Sequence, residues 1–433
     1  MKNQGLRSSY KWYVLAVLCL LTLSSGLDRQ LPTILVGPLK ERFLISDTQY
    51  GMLQGIAFAL TYSIFAVPFG ILVDRSNRRN IIAVGVLAWS CLTIAPAFAT
   101  SFTQLVIFRL GVGIGEAILA PAAYSLITEY FEPRLRGRAA GIYYMSMAVG
   151  SGASLIVGGL LLRELPPRGI ILAGQAFAPW QAVFLFTGLS GLLVVALTTT
   201  IREPARVVAT DTAGPSVKRT FHYMWRHRAV LGRISLASAL MAMVGYGTSA
   251  WLPAYFERKF SIPPSHSGPL IGLMFIATSM VGPLLGGWLS DSWAGRGRRD
   301  ARFRVLFVAF VVLLPASFWA LMPWAWLSFA LCTMLMFAIA LLQSSVPLVL
   351  QEAVPDDMRG QVVALQYLVL GLVGIGFGPA IVPMINSYIF GSESMLHWSL
   401  TFVALSAGAI GFWLCRSLVQ IVRNAADDIP MQA

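Results

Sequence analysis

The chain has 433 residues, of which 57% are hydrophobic, 12% aromatic and only 12% charged. Soluble domains carry about a quarter charged residues, so a water-facing surface could not be covered at this length, and disorder is excluded by the same scarcity of charge. The net charge of +13, from 32 Lys and Arg against 19 Asp and Glu, is dispersed over short loops, which argues against a nucleic-acid-binding face.

The apolar residues come in about twelve runs of 18–25 residues, each long enough to cross ~30 Å of hydrocarbon as a helix. With Pro, Gly and Arg as punctuation, spans are predicted near 12–36, 48–73, 80–99, 102–130, 139–162 and 179–201. Six more follow near 230–256, 266–290, 303–321, 324–352, 361–389 and 396–419. The expected fold class is an all-α membrane protein: twelve transmembrane helices in two six-helix halves, 1–201 and 229–420. Residues 202–228 form a cytoplasmic linker and 421–433 a cytoplasmic tail. The first run is too long, and lacks the small-residue cleavage site, for a removable signal peptide. Within the linker, FHYMWRHR (221–228) mixes aromatics with Arg and His, as an amphipathic helix lying on the inner leaflet would.

Charge sorts by membrane side. Loops on the side of the N-terminus hold 24 of the 32 basic residues, and the opposite loops hold six, namely Lys40, Arg42, Arg163, Arg168, Arg258 and Lys259. The positive-inside rule then places both termini in the cytoplasm of a multi-pass protein of the plasma membrane, the inner membrane of a bacterium. The four cysteines, Cys19, Cys91, Cys332 and Cys415, fall in apolar runs without metal-ligand spacing and read as packing residues. There is no His cluster, no Gly-rich phosphate loop and no Ser elbow, so neither an enzyme, a metal site, a cofactor nor ATP-driven transport is expected.

The two halves repeat. After the second span stands Gly70 with Asp74, Arg75, Arg78 and Arg79, and after the eighth stands Gly287 with Asp291, Arg296, Arg298 and Arg299. A second echo pairs Glu129 and Arg136, after span four, with Glu352 and Arg359, after span ten. Such repeats imply a pseudo-two-fold axis along the membrane normal with a site between the halves. A carboxylate among arginines at a helix end can bond neighbouring helix ends when the halves meet on that side. Gly70, Asp74, Arg75, Arg78, Arg79, Glu129, Arg136 and Asp291 are therefore read as a breakable cytoplasmic latch.

Four ionisable residues lie inside the first six spans: Asp28, Arg29, Arg109 and Glu116. Each charge near the bilayer centre costs on the order of 2.5–3.5 kcal/mol, so pairing is expected, and the four sum to zero. The carboxylates are read as the proton-coupling groups and the arginines as charge-pairing or substrate-binding groups. Glu116 is preferred as the main proton carrier, because Asp28 adjoins Arg29 and is expected to meet Arg109. A mixed cavity is expected from Tyr62, Tyr124, Tyr143, Tyr246, Gln343 and Tyr367, with Tyr144, Trp251, Tyr255, Gln366 and Asn386 as further polar or aromatic groups. The second half has no mid-span charge, an asymmetry suited to an amphiphilic or organic-anion substrate. The span-five glycines, Gly141, Gly150, Gly158 and Gly159, read as helix-packing positions.

GILVDRSNRR (70–79), with its weaker copy, resembles the signature of the major facilitator superfamily. The sequence is more narrowly similar to spinster-like transporters through Leu27, Asp28 and Arg29, the run Tyr50 to Gln54, Pro68 to Gly70, and Arg109 with Gly113 to Ala117. The resemblance implies the twelve-span facilitator fold and secondary transport by alternating access, and it points to Asp28 and Glu116 alike. The facilitator-antiporter pattern in span five is incomplete, since Ser154 and Leu155 replace its Gly-Pro. The expected function is proton-coupled transport of an organic anion or lipid-like amphiphile by a monomer, with protons and membrane lipids as partners. Alternatives are a passive lipid scramblase or uniporter on the same scaffold, or a sugar-acid/proton symporter.

Overall fold

A computed structural model describes residues 5–204, 217–298, 301–352, 354–355 and 358–424. The central part of the expected linker and nearly all of the expected tail lie outside the described residues.

The first half supplies α1 (Ser9–Ile34), α2 (Asp47–Arg75), α3 (Arg78–Phe98), α4 (Phe102–Tyr130), α5 (Pro133–Glu164) and α6 (Pro179–Thr198). The second supplies α7 (Leu231–Phe260), α8 (Pro264–Ala294), α9 (Ala301–Leu321), α10 (Ala325–Leu342), α11 (Gln361–Phe390) and α12 (Glu393–Leu418). Among the described residues eleven of these are long and apolar enough to cross a bilayer. The twelfth, α7, follows the linker helix Val217–Arg226 across a 95° bend. The chain is a multi-pass integral membrane protein of the expected fold class.

Local chemistry explains the departures from the predicted elements. Helix α5 begins at Pro133, before the predicted 139, because Pro at the first helical position needs no hydrogen-bond partner; its Arg-rich first turn is invisible to hydropathy. Pro32 tightens the end of α1 into a 3-10 turn, after which a short helix, Val36–Phe43, stops at Leu44 in the left-handed region (φ 51°). An unpredicted hairpin, β1 (Ile170–Leu172) with β2 (Gln175–Phe177), joins α5 to α6. Its two-residue loop, Ala173 and Gly174, has positive φ at both positions, matching the right-handed twist of the strands.

The chain divides into two compact units, 1–208 with 250–276 and 209–249 with 277–433. In the first, α5 presents glycines on two faces. A Cβ on Gly150 would lie 2.3 Å from the Leu23 carbonyl oxygen of α1, and one on Gly158 would strike Ile34. On the other face, a Cβ on Gly152 would lie 2.6 Å from the Gly272 carbonyl oxygen of α8. In the second unit, Gly247 and Gly378 bring α7 and α11 together, and Gln366 donates to Ser238 at 2.6 Å. Small residues do this work because lipid gives helices no hydrophobic incentive to associate, so close backbone approach and dispersion must supply it.

These contacts predict that Gly150→Val lowers stability by about 1–3 kcal/mol through overpacking, read as a fall in detergent melting temperature. Gly141→Val, at a position with open space around it, should leave melting near that of the parent. Equal losses in both variants would contradict the packing account.

Candidate functional site

The four charges of the first half converge in the first unit. Glu116, 1% exposed, accepts at Oε2 from Arg29 Nε at 2.6 Å and from the Ser25 hydroxyl at 2.6 Å. Its Oε2 thus serves two donors, while its Oε1 has no partner in hydrogen-bond geometry. The Arg29 guanidinium also lies over the rings of Phe58 and Tyr62, 4.8 and 4.5 Å from their centroids, where the ring faces favour a cation.

Arg109 differs from expectation. It is buried and donates from Nη1 to the Asp28 carbonyl oxygen at 3.2 Å and from Nη2 to that of Arg29 at 3.1 Å. It thus holds the α1 backbone rather than a carboxylate. Asp28, also buried, has Thr93, Arg109 and Glu116 as polar neighbours, yet neither of its oxygens has a partner in hydrogen-bond geometry. The premise that Asp28 is the tightly held carboxylate is corrected: Arg29 turns to Glu116. Successive residues on a helix point about 100° apart, so Arg29 cannot face its own neighbour.

Gln54, which the sequence reading had not assigned to the site, belongs to this cluster. It sits in a π-helical turn of α2 (Leu53–Ala57) and donates at 3.2 Å to the Arg29 carbonyl oxygen and to Thr33 Oγ1. A π-turn widens the helix locally and often marks a functional position, but sequence alone does not announce it.

The cavity residues separate. Tyr62 stacks on Phe58 at 5.5 Å, and Tyr124 and Tyr143 meet edge to face at 5.3 Å; Tyr143 has Tyr62 and Arg29 as electrostatic neighbours. Tyr62 and Tyr143 are therefore neighbours of Arg29 and Tyr124 packs on Tyr143, with Tyr124 and Tyr144 both exposed. Trp251 and Tyr255 are fully buried core of the first unit, Trp251 packing edge-on against Tyr50 at 5.8 Å. In the second unit Tyr246 and Tyr367 are about half exposed, Gln366 is tied to Ser238, and buried Asn386 accepts from Ser399 at 2.5 Å. The side chain of Gln343 lies outside the described residues.

Each end of the first unit carries an ionic hub. At the end away from the N-terminus, fully buried Asp47 accepts from Lys40 at 2.5 Å and from both terminal nitrogens of Arg258 at 2.6 and 2.8 Å. Asp47 opens α2 behind a Ser46/Gln49 capping box, where the helix dipole also favours a negative charge. At the opposite end, Arg78, 1% exposed, binds Glu129 at 2.7 Å, Glu203 at 2.7 Å, Ser125 at 3.0 Å and the Pro204 carbonyl at 3.2 Å. Glu203 also accepts from the Arg79 amide at 3.0 Å.

The predicted latch is therefore brought together only in part. Arg78 and Glu129 meet, joined by Glu203, which the sequence reading left out. Asp74 and Arg75 are exposed and make no ion pair among the described residues, Gly70 borders open space, and Arg136 donates to the Phe131 carbonyl. Asp291 is exposed in the second unit, with Arg302 as electrostatic neighbour.

Residues 18–379 match the model of the Major Facilitator Superfamily. The chain is 28% identical over 410 residues to an MFS-type efflux pump of Mycolicibacterium smegmatis, covering 93% of this chain and 92% of that one. It is 30% identical over 304 residues to protein spinster homolog 1 of Bos taurus, covering 65% of this chain and 55%, about half, of that relative. A solved bacterial homolog of the human lysosomal transporter spinster, in an inward-facing and occupied conformation, superposes with a TM-score of 0.83. Its identity is 25%, over 98% of this chain and 99% of that one.

The Arg78 hub predicts a sharp contrast between adjacent arginines. Arg78→Gln leaves two carboxylates without their shared cation and should destabilise the protein by about 3 kcal/mol, whereas Arg75→Gln should change stability by under about 0.5 kcal/mol. Thermal unfolding in detergent measures both, and equal effects would contradict the hub.

Proposed function

The chain belongs to the major facilitator superfamily, and from that premise we propose that it is a spinster-like, proton-coupled secondary transporter of an organic anion or lipid-like amphiphile. It sits in the plasma membrane with both termini cytoplasmic, and its halves, 1–201 and 229–420, rock about a site between them. It works without cofactor or metal.

The observation that carries this reading is the position of Arg29. One guanidinium, laid over Phe58 and Tyr62, forms an ion pair with a buried carboxylate whose second oxygen is unpartnered. When Glu116 takes up a proton it stops attracting Arg29, and the guanidinium becomes available to a substrate anion or to Asp28. An anion that captures Arg29 in turn leaves Glu116 to be neutralised by a proton. Proton occupancy and anion occupancy are thereby linked through a single side chain. Arg109, fixed to the α1 backbone, supplies background positive potential, and the tyrosine faces suit the apolar or ring portion of the substrate. The lack of mid-span charge in the second half favours an amphiphile over a densely polar solute.

Alternating access needs an outer closure, and the Asp47 hub is assigned that role. Arg258 lies on α7, the first helix of the second half, so separation of the halves on that side must break its bonds to Asp47. The Asp47 hub lies opposite the N-terminus and is read as the outer end, while exposed Asp74 lies at the inner one.

The test begins with a thermal-shift screen of purified protein against lysophospholipids, sugar acids and aromatic acids, followed by accumulation of the stabilising compound in proteoliposomes under an imposed pH gradient. Glu116→Gln should bind the compound but lose gradient-driven accumulation, because Gln keeps the shape and cannot exchange a proton. Flux indifferent to the gradient in the parent protein would instead establish a passive scramblase or uniporter. Accumulation that survives Glu116→Gln and fails only in Asp28→Asn would reverse the roles of the two carboxylates.

A further inference from the structure

Asp28 does not stand alone in the first unit: α1, α3 and α6 gather three hydroxyl groups toward it. We propose that Asp28, Ser24, Ser90 and Thr93 form a binding site for a small monovalent cation, sodium.

Helix spacing sets the four side chains on two stripes. Ser24 and Asp28 are four residues apart on α1, and Ser90 and Thr93 are three apart on α3, so each pair shares one helix face. Thr93 is a polar neighbour of Asp28, which joins the two faces at one level. One turn earlier on both helices they are joined again at Gly191 of α6. A Cβ there would lie 2.4 Å from Ser90 Oγ and 3.5 Å from Ser24 Oγ, so both hydroxyls border the same glycine and no larger residue fits beside them. All four side chains are buried, and neither carboxylate oxygen of Asp28, nor Ser24 Oγ, nor Ser90 Oγ has a hydrogen-bond partner. Oxygens taken out of water and left without partners are costly, and a bound group that uses their lone pairs removes that cost.

The donor set specifies the group. Oxygen ligands without nitrogen or sulfur favour a hard cation. One carboxylate balances one positive charge, whereas calcium sites draw on several acidic ligands, so the fit is to a monovalent ion. The charges facing Asp28 from α4 are Glu116 and Arg109, and the acid acts on it the more strongly. Arg109 directs its terminal nitrogens to backbone carbonyls, and Arg29 is held by Glu116, so Asp28 makes no ion pair among the described residues. A proton on Asp28 would engage one carboxylate oxygen and leave the serine hydroxyls as they are. A water molecule would serve the hydroxyls without balancing the carboxylate's charge. Sodium does both, and the crowding around Gly191 disfavours the larger potassium ion.

The experiment uses the purified full-length protein in detergent, titrated with sodium chloride, potassium chloride or choline chloride at constant pH and ionic strength. Melting temperature and equilibrium binding of radioactive sodium are the readouts, and neither requires transport, so the result is independent of the functional proposal above. Sodium should raise the melting temperature saturably and bind to a single site, whereas potassium and choline should neither stabilise the protein nor displace the bound ion. Asp28→Asn should abolish both responses. Ser90→Ala, which removes one oxygen and little volume, should weaken sodium binding about tenfold, and it serves if Asp28→Asn does not fold. Ser190→Ala, which removes a hydroxyl that bonds within its own helix α6, should retain full binding. Absence of a sodium response in the parent protein, equal stabilisation by potassium, or undiminished sodium binding in Asp28→Asn or Ser90→Ala would each overturn the proposal.

Discussion

The ion pair between Arg29 and Glu116 is the interaction on which the first unit depends. Burying four charges in a membrane-spanning bundle requires helices to come close enough for the charged groups to reach one another or backbone carbonyls, and the close approaches are made by glycine. Gly26 and Gly150 bring α1 against α5, and a Cβ on Gly113 would lie 2.3 Å from Thr61 Oγ1, so α4 can lie directly on α2. With those backbones in contact, Arg29 and Ser25 reach Glu116, and Arg109 reaches the carbonyls of residues 28 and 29. The small residues and the charged residues are two parts of one requirement.

The two ionic hubs invert each other's charge and serve different ends. At Asp47 one carboxylate is shared by two cations, and one of those, Arg258, is 211 residues away on a helix of the second half. At Arg78 one cation is shared by two carboxylates, Glu129 of the first half and Glu203 just after its last helix. Both hubs lie within the first compact unit; the gating role proposed for Asp47 rests on Arg258 belonging to the helix that opens the second six-span half of the proposed transporter.

Hydropathy made the spans legible because a membrane forces long apolar runs, and α4 begins and ends where its sequence indicates. Features set by local backbone chemistry were less visible: the hairpin at 170–177 is too short and too isolated to register, and the π-turn at Gln54 has no sequence pattern of its own. Asp28, Arg29, Arg109 and Glu116 stood out as charges in apolar runs, yet their partners did not. Adjacency suggested that Arg29 serves Asp28, whereas helix geometry sends it to Glu116. Asp47 did not stand out, since its partner Arg258 lies far away in sequence. The overlooked signal was the small set of basic residues that break the charge bias, because Lys40 and Arg258 belong to it and both bind Asp47.

The central claim is that protonation at Glu116 is coupled to the outer closure held by Asp47. Electron–electron double resonance tests it most directly, with spin labels at Leu44→Cys and Tyr388→Cys in a protein whose four native cysteines are replaced by serine, reconstituted in lipid. Acidification should shift the parent protein toward a longer outer distance, and Glu116→Gln should show the longer distance at neutral pH. A distance distribution that is the same at both pH values, and unchanged in Glu116→Gln, would contradict the coupling.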